Sequence, residues 1–513
     1  MRIQFAGMNT LSDPASIDAL NPKSKQYGQC IDICNCDLDD ENNAISRDGF
    51  TLIAAGNITS AWTSTTGITY CISNGKICTF DGSAVTVLEP DLPVDPDCEF
   101  AQVNDIVVFS DNTQIGLIEG NDVSLVSHPS DWLGVADLEQ WVTDHYPADP
   151  ATASSNFVID AFKLTTLAGR CLDFFNGALY LAVDNFVYCT KTHDIEHMDI
   201  RYNVVAGFAS AVTMITHVAD GLYVGTADGV FFLEGGGLVV DETYKVLAGF
   251  SQRQVLSVGA IYGTDVHNVD AGHIPHLQTT GMVSLWSTRL GICAGLPGGA
   301  VINLSAEKLT LPDVAQGTAV VQILNNTWQY KVCFDTSPTL LISNNSTINT
   351  ANLNDTWVLN LNNATHSHFT RYPFNSLFTR GSEHYGSNKL GIFRFGGDTD
   401  FTGVTALAQT VTAFILTPLF DFGKRQLKYH LALYVQARCD RELEVDYIVD
   451  ESVAYANDVI TFDGNSAAHA RRAAPPKGIK GTFWQYKLTN VDGSRFTAFN
   501  LEPVIAVSAN RTK

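Results

Sequence analysis

Asp220-Gly-Leu-Tyr-Val-Gly-Thr-Ala-Asp-Gly-Val-Phe-Phe-Leu-Glu-Gly235 is the stretch of this sequence that decides the fold. Two short apolar strands, Leu222–Val224 and Val230–Leu233, flank the turn Ala227-Asp228-Gly229. Asp-Gly between apolar runs is a strong hairpin signal, because glycine accepts the positive φ that such a turn requires. We therefore predict a β-hairpin here, with Gly229 at positive φ.

The same pattern recurs along most of the chain. Asn74-Gly75 lies between two apolar runs in 69–79 and predicts a two-residue type I′ turn. Further hairpins are predicted in 105–126, 177–190 and 282–304, and the strand-like stretches 354–361 and 389–395 continue the pattern. Hairpins that recur about every forty residues, with almost no helix, are typical of four-stranded propeller blades. We predict a β-propeller over 51–400, with a partly helical insertion at 127–168.

The pattern changes near residue 400. The strands predicted at 410–418, 429–436, 443–449 and 482–488 are longer and alternate apolar with polar residues. Such strands favour an antiparallel sheet or sandwich. The predicted fold class is all-β: a propeller of hairpin blades with an added antiparallel β-platform or sandwich at 401–513. Residues 1–50 are predicted to be an extended N-terminal segment that contributes to the platform.

Composition limits the classes of function. The chain has 513 residues and a formal net charge of −23. A protein this acidic is a poor candidate for gripping nucleic acid through its phosphates, although DNA could slide past it. No apolar run is long enough to predict a membrane span, and the first residues show no apolar core of a signal peptide.

The eleven cysteines are scattered, and without a secretion signal we interpret them as buried reduced thiols. Cys30, Cys34 and Cys36 cluster and could hold zinc, but they lack a clear fourth ligand. The sequence predicts no cofactor.

Histidines supply one motif with a possible chemistry. His193-Asp-Ile-Glu-His197 matches an inverted zinc-protease pattern, which requires a helix, but strand-like residues surround it. A polar inter-strand loop is the favoured interpretation. His366 and His368, like His267, His273 and His276, are interpreted as surface or loop histidines. The sequence predicts no catalytic residue, no cofactor-binding residue and no metal ligand.

A basic loop stands out in this acidic chain. Residues 470–480 contain Arg471, Arg472, Lys477 and Lys480, together with two prolines. These side chains could contact a partner or a phosphate, or they could form a solvated hairpin tip. Both interpretations remain open at the level of the sequence.

Three stretches resemble one known family, the tail hub or nozzle proteins of short-tailed phages. The first is 5–14 with 35–40 and the turn Arg47-Asp-Gly-Phe50. The second is 187–190 with 196–199 and 220–235. The third is 416–423 with 480–484 and 490–493. The resemblance implies a propeller with a β-platform, assembled as a sixfold ring below the portal and adaptor. It implies no catalytic residues.

The expected function is therefore that of a virion structural protein that extends the portal–adaptor channel. It would retain and conduct genomic DNA without binding it specifically, and it would dock tail fibres or spikes. Its expected partners are itself, as a hexamer, the portal and adaptor proteins, and the fibres or spikes. The alternatives are a tail-associated propeller glycosidase or lyase, and a non-catalytic carbohydrate-binding propeller for host attachment. No Asp-box motif and no acid pair within a motif supports the enzyme.

Overall fold

The protein is described from a computed structural model. It describes residues 2–89, 92–94, 98–111, 113–126, 163–165, 167–190, 192–193, 195–199, 204–237, 239–240, 246–324, 326–334, 356–401, 409–423, 426–450, 452–464, 468–475 and 478–507. Within these ranges the secondary structure consists of strands and three short 3₁₀ helices. The predicted all-β class is confirmed. No helix in the described ranges is long and apolar enough to cross a membrane.

The strands of the first half, in chain order, are β1 (Asp32–Cys34), β2 (Cys36–Leu38), β3 (Ala44–Ser46), β4 (Phe50–Ala55), β5 (Ile58–Thr63), β6 (Thr69–Ser73), β7 (Lys76–Phe80), β8 (Val85–Val87), β9 (Glu99–Val103), β10 (Ile106–Ser110), β11 (Ile115–Glu119), β12 (Asp122–Leu125), β13 (Lys163–Thr165), β14 (Arg170–Phe175), β15 (Ala178–Val183), β16 (Phe186–Cys189), β17 (His197–Asp199), β18 (Val204–Gly207), β19 (Val212–Val218), β20 (Gly221–Thr226), β21 (Val230–Glu234), β22 (Val239–Val240), β23 (Val246–Ala248) and β24 (Ser251–Leu256).

The second half contributes β25 (Val266–Asp270), β26 (Met282–Thr288), β27 (Gly291–Gly295), β28 (Val301–Asn303), β29 (Gly317–Leu324), β30 (Thr327–Phe334), β31 (Thr356–Asn360), β32 (Thr365–Phe369), β33 (Ser376–Arg380), β34 (Glu383–Asn388), β35 (Gly391–Phe395), β36 (Thr399–Asp400), β37 (Gln409–Thr410), β38 (Phe414–Leu416), β39 (Lys428–Cys439), β40 (Glu442–Val449), β41 (Ser452–Thr461), β42 (His469–Ala473), β43 (Trp484–Asn490) and β44 (Phe496–Val507). The 3₁₀ helices are Ala271–His273, Pro275–Leu277 and Pro297–Gly299.

Antiparallel four-stranded units follow one another from β5 to β35 in a propeller-like circle. They are β5–β8, β9–β12, β14–β15–β16–β18, β19–β20–β21–β24, β25–β28, β29–β32 and β33–β35 with β4. From β9 onward the first strand of each unit contacts the first strand of the next, and β33 contacts β5. Between β5 and β9 the Ser60 hydroxyl donates to the carbonyl of Cys98 at 2.7 Å. The circle therefore closes on itself.

The closing unit is built from both ends of this region. β33, β34 and β35 come from residues near 380, and β4 pairs with β35 with Phe393 opposite Leu52. A strand from the N-terminal side thus completes the last unit and leaves its outer edge paired. The predicted boundary at residue 51 falls within β4.

The hairpin predicted for residues 220–235 is present, but its turn differs from the prediction. β20 pairs with β21, and Tyr223 lies opposite Phe232. The backbone N–H groups of Asp228 and Gly229 donate to the Thr226 hydroxyl at 3.3 and 3.2 Å. Because this side chain satisfies the turn, Gly229 does not need a positive φ, and it is absent from the glycines that have one. The predicted conformation of Gly229 is therefore wrong.

At Asn74-Gly75 the prediction of a type I′ turn is confirmed. The two residues have φ values of 52° and 71°, and Ser73 pairs with Lys76 across them. A positive φ at both central positions defines this turn and matches the twist of the flanking strands.

The remaining strands form a two-layer sandwich. One layer contains β1, β38, β43, β40 and β41, and the other contains β2, β3, β44, β39 and β42. β43 alternates buried and half-buried residues along its length, as expected for a strand with one face in the core. The core between the layers contains Ile33, Val445, Tyr447, Trp484 and Tyr486 from the first layer and Leu433, Val435, Ala437, Ala498 and Leu501 from the second.

One sheet joins the propeller-like circle to the sandwich. β32 pairs in parallel with β1, with His368 beside Cys34, so the unit β29–β32 continues into the first sandwich layer as a nine-stranded sheet. Asn35, at a φ of 53°, then turns the chain from β1 to β2 in the other layer. The buried guanidinium of Arg47 also binds Asp400 through two contacts of 2.8 and 2.9 Å.

Two sequence predictions meet the edge of the described structure. Almost all of the predicted insertion at 127–168, including its helix, lies outside the described residues; its described part includes the short strand β13. In the His193–His197 motif, His193 occupies a turn and His197 begins β17, so this motif is not on a helix.

Candidate docking surface

The predicted basic loop is partly a strand. Residues 469–473 form β42, an edge strand of the second sandwich layer that pairs with β39. The expectation of a loop over all of 470–480 is wrong for these residues, because the backbone of β39 offers them a hydrogen-bonding ladder. Lys477 lies outside the described residues. The structure describes Arg471, Arg472 and Lys480.

These three cations are held in different ways. The Arg471 guanidinium pairs with Asp463, so part of its charge is neutralised within the chain. Arg472 is exposed, and its guanidinium donates to the backbone carbonyl of Leu431 at 3.1 Å. The ammonium of Lys480 lies 5.0 Å from the centre of the Tyr429 ring, a cation–π contact. Arg472 and Lys480 therefore lie over β39.

Apolar and aromatic side chains share this surface. Leu431, Tyr434 and Val504 are 53%, 39% and 40% exposed on β39 and β44. Arg438 extends the surface along β39, with its guanidinium 5.4 Å from the ring centre of Phe499. We name this surface the basic face; it consists of Tyr429, Leu431, Tyr434, Arg438, Arg472, Lys480, Phe499 and Val504. Glu502 lies opposite Tyr434 on the same side, and its carboxylate is paired with Arg2. Tyrosine, phenylalanine and arginine are the residue types enriched at protein interfaces.

The opposite side of the sandwich has the opposite charge. Leu443, Val445 and Tyr447 of β40 enter the core, so the residues that alternate with them point outward. We name these residues, Glu442, Glu444 and Asp446, the acidic face. Burial raises the pKa of Asp446, and the neighbouring Glu444 raises it further. Lys487 lies opposite Asp446 on β43 and offsets part of this charge.

The sequence singles out Arg471, Arg472, Lys477 and Lys480 as candidate docking residues, but it does not indicate the apolar and aromatic residues of the basic face. The alternation of apolar and polar residues over 429–436 predicts a strand, and every second residue of a strand lies on the same face. The missing information was which strands pair. Arg472 lies directly opposite Tyr434, although 38 positions separate them, as the residue numbers show.

A second polar site lies on the axis of the propeller-like circle. A cavity of about 460 Å³ is lined by residues from all seven units, among them Ala61, Phe100, Leu172, Ile215, His267, Thr318 and Leu377. The Glu99 carboxylate accepts hydrogen bonds there from the Tyr262 hydroxyl and, at 3.0 Å, from the Leu172 backbone N–H. The Arg170 guanidinium lies 5.5 Å from the Tyr262 ring centre.

Several ionisable groups lie in or near this axial cavity, which we also call the channel. Burial raises the pKa of Glu99, and burial together with the Glu99 charge raises the pKa of Asp265 to about 7. The imidazole of His217 contacts both Asp173 carboxylate oxygens at 2.9 Å. Burial opposes the protonation of His217, but the bond to Asp173 outweighs it and raises the pKa. Burial lowers the pKa of His267, which lines the cavity.

The described ranges offer few candidate ligands for a metal ion. Within the described ranges no three His, Cys, Asp or Glu side chains are placed to hold a metal ion. All eleven cysteines are buried, as predicted. Cys34 and Cys36, which the zinc alternative requires together, lie in different layers of the sandwich. His366 and His368 are buried and half-buried residues of β32, so their interpretation as surface or loop histidines is wrong.

Comparisons with known proteins give little information about this chain. No family model matches the chain, and no curated protein matches it. The extracellular domain of the putative hybrid two-component system BT4673 from B. thetaiotaomicron matches with a TM-score of 0.38 and 12% identity, over 68% of this chain and 40% of that one. The corresponding domain of BT3049 matches with a TM-score of 0.37 and 13% identity, over 67% and 40%. The computationally designed Ika8 protein matches with a TM-score of 0.36 and 10% identity, over 71% and 96%. Similarities this low carry no inference about function.

Proposed function

We propose that this protein is a structural subunit of a phage tail that assembles with its own copies into a ring-shaped nozzle or hub. The observation that carries the proposal is the pair of oppositely charged faces on one sandwich. Arg438 and Arg472 lie on one side, and Glu442 and Glu444 lie on the other. A surface that binds a different surface of the next copy generates a ring when the rotation closes.

The chemistry of the faces favours a head-to-tail contact. Complementary charges steer the encounter and fix the register of two partners. Tyr434 and Phe499 add rigid aromatic area, which supplies much of the energy of interfaces. The sandwich is also joined to the propeller-like circle through the continuous sheet at β32 and β1. A contact made by the sandwich would therefore fix the orientation of the whole subunit in the ring.

The rest of the proposal follows from the resemblance and from charge. A ring of subunits with a net charge of −23 each would present DNA with a repulsive wall, so that ejected DNA slides through. Portal and adaptor proteins would bind on the axis of the ring, and fibres or spikes would bind at its side. The protein would reside in the virion tail, and hexamer is the expected stoichiometry.

A charge-swap series tests the ring. The mass of the purified protein is measured by native mass spectrometry for wild type, Arg438→Glu/Arg472→Glu, Glu442→Arg/Glu444→Arg, and the combination of all four. We expect rings from wild type, dissociation in each double variant, and reassembly in the combination. Lys23→Glu/Lys25→Glu, which reverses two exposed lysines elsewhere, is the matched control and should assemble. A wild-type monomer, or charge-reversed proteins that assemble normally, would refute the proposal.

The channel favours a second candidate, a carbohydrate-binding or carbohydrate-cleaving propeller. Its volume lies within the range of small-ligand sites. Trp62 and Phe100 stack at 6.2 Å with an interplanar angle of 12°, and the carboxylates of Glu99 and Asp265 lie in the same cavity wall. Sequence reasoning could not find this acid pair, because its members are 166 positions apart, as their numbers show.

The two candidates make opposite predictions about bacterial polysaccharide. For the tail nozzle we expect hydrolysis and binding at background with purified wild-type protein. Turnover that is lost in both Glu99→Gln and Asp265→Asn would favour the enzyme. Binding without turnover that is weakened in the same variants would favour the attachment protein. Glu234→Gln, at an exposed residue that is not among those lining the cavity, is the control.

A further inference from the structure

A second cavity, of about 330 Å³, lies where the propeller-like circle meets the sandwich. It is lined on one side by Cys34 and His368, which lie next to each other on the parallel strands β1 and β32. Arg47, Arg371 and Asp400 line it as well.

A cysteine, a histidine and an aspartate meet at its wall. Asp32 precedes Cys34 by two positions on β1, so both side chains lie on the same face of the sheet. The Asp32 carboxylate oxygen lies 2.8 Å from Nε2 of His368. Asp32 Oδ1 and His368 Nε2 do not form a hydrogen bond of good geometry, so the contact is an ion pair.

The imidazole of His368 is held in its charged form. Burial lowers its pKa, but contacts with Asp32 and the Cys34 thiol outweigh burial and raise the pKa to about 10. An adjacent imidazolium stabilises a thiolate, which is the nucleophilic form of cysteine. A base that is itself oriented by a carboxylate is the general arrangement of activated cysteine nucleophiles.

Burial disfavours the thiolate form of several other cysteines. Burial raises the pKa of Cys189 and of Cys293 to about 12, and it raises that of Cys171. Their thiols are therefore poor nucleophiles. Cys78 is the exception, because a hydrogen bond from Cys71 lowers its pKa. A reactivity experiment must therefore separate Cys34 from Cys78.

We propose that Cys34 is a nucleophilic thiol that captures small anionic disulfides in this cavity, with His368 holding the thiol proton and Asp32 positioning His368. The Cys34 thiolate attacks one sulfur of the disulfide. A protein–ligand mixed disulfide forms, the original disulfide bond breaks, and the other half leaves as a thiolate. The disulfide itself is the oxidant, so no further reactant is needed. Arg371 supplies a positive charge for the anionic ligand.

The probe is dithiobis-nitrobenzoate, an anionic disulfide that releases a coloured thiolate. Folded full-length protein is mixed with it, release is followed over time, and the modified cysteine is located by peptide mass spectrometry. We expect one fast-reacting thiol, located at Cys34, whose fast phase disappears in Cys34→Ser and persists in Cys78→Ser. Fast modification elsewhere, or none, would refute the proposal.

The roles of the neighbours are tested by rate and by absorbance. His368→Gln should slow the fast phase at least about tenfold and remove the ultraviolet absorbance of the thiolate, because the stabilising cation is lost. Asp32→Asn should slow it less, with an unchanged unfolding temperature, and Asp32→Glu should restore part of the rate. If His368→Gln fails to fold, Asp32→Asn alone decides: an unchanged rate refutes the positioning role.

A neutral reagent distinguishes activation of the Cys34 thiol by His368 from attraction of an anionic reagent by Arg371. Arg371→Gln should slow the reaction with dithiobis-nitrobenzoate but leave the rate with iodoacetamide near wild type. His368→Gln should slow both reagents. Equal effects of Arg371→Gln on the two reagents would remove the anion preference from the proposal.

Discussion

At Gly229 the constraint is the neighbouring strand, since φ is ordinary. A Cβ there would lie 2.5 Å from Nε2 of Gln254 and 2.8 Å from the carbonyl oxygen of Leu256. The glutamine side chain can move, but the backbone of β24 cannot move without loss of its pairing with β21. The same residue is thus required for a reason that the turn pattern did not contain.

We expect Gly229→Val to lower the free energy of unfolding by about 1–3 kcal/mol, the usual cost of forcing extra atoms into a packed site. Chemical denaturation of wild type and variant measures this difference. Gly236→Ala is the control, because its Cβ would meet only the Asn176 amide at 3.4 Å. If Gly229→Val is as stable as wild type, the backbone of β24 can shift to accept the added side chain, and the predicted constraint is wrong.

Asp265 gives a prediction for pH. Burial, together with the negative charges of Glu99 and Asp173, raises its pKa from 3.8 to about 7 in the folded protein. Between these values the unfolded chain has lost a proton that the folded protein keeps, so stability falls as the pH rises. Asp265→Asn should remove this loss. Its unfolding temperature relative to wild type should increase from about pH 4 to about pH 7 and stay constant above. A difference independent of pH would contradict the burial of an ionisable Asp265.

At the scale of elements, the sequence predicts a local turn correctly but does not predict which distant strands pair. Asn74-Gly75 fixes its turn through two adjacent residues, so the sequence alone predicted it correctly. The pairing of β1 with β32 joins residues 334 positions apart, as Cys34 and His368 show. Short strands of three residues carry too little alternation to specify a partner. The sequence could therefore predict hairpins and the all-β class, but not the sheet that joins the two regions.

This joining sheet predicts coupled unfolding. Ile33 is fully buried at the centre of β1, which pairs with β32 on one side and β38 on the other. Ile33→Pro would remove a ladder hydrogen bond in a central strand. We expect one calorimetric transition in wild type and in Ile33→Val, and two transitions in Ile33→Pro. A single transition in Ile33→Pro would mean that the regions are coupled mainly by other contacts, such as Arg47 with Asp400.

At the scale of the whole molecule, charge is distributed unevenly. The chain carries 54 acidic and 31 basic residues, yet Arg438, Arg472 and Lys480 gather on one face of the sandwich. Net charge was available from the sequence, but this segregation required the strand pairing. It leaves two possible ligands for the basic face: an acidic protein surface, as proposed, or the phosphates of DNA.

Salt dependence distinguishes these two ligands. DNA binding through phosphates releases counterions, so it weakens steeply with salt, and the slope grows with the number of cations involved. The described basic face offers few cations on a subunit with a net charge of −23. We therefore expect fluorescence anisotropy of a labelled duplex to show weak binding at low salt and none at physiological salt. Arg438→Glu/Arg472→Glu should abolish the residual binding, and Lys23→Glu/Lys25→Glu should not. Duplex binding that persists at physiological salt and depends on Arg438 and Arg472 would make the basic face a DNA site. It would contradict the proposed channel, because a wall that binds DNA tightly would prevent the DNA from sliding.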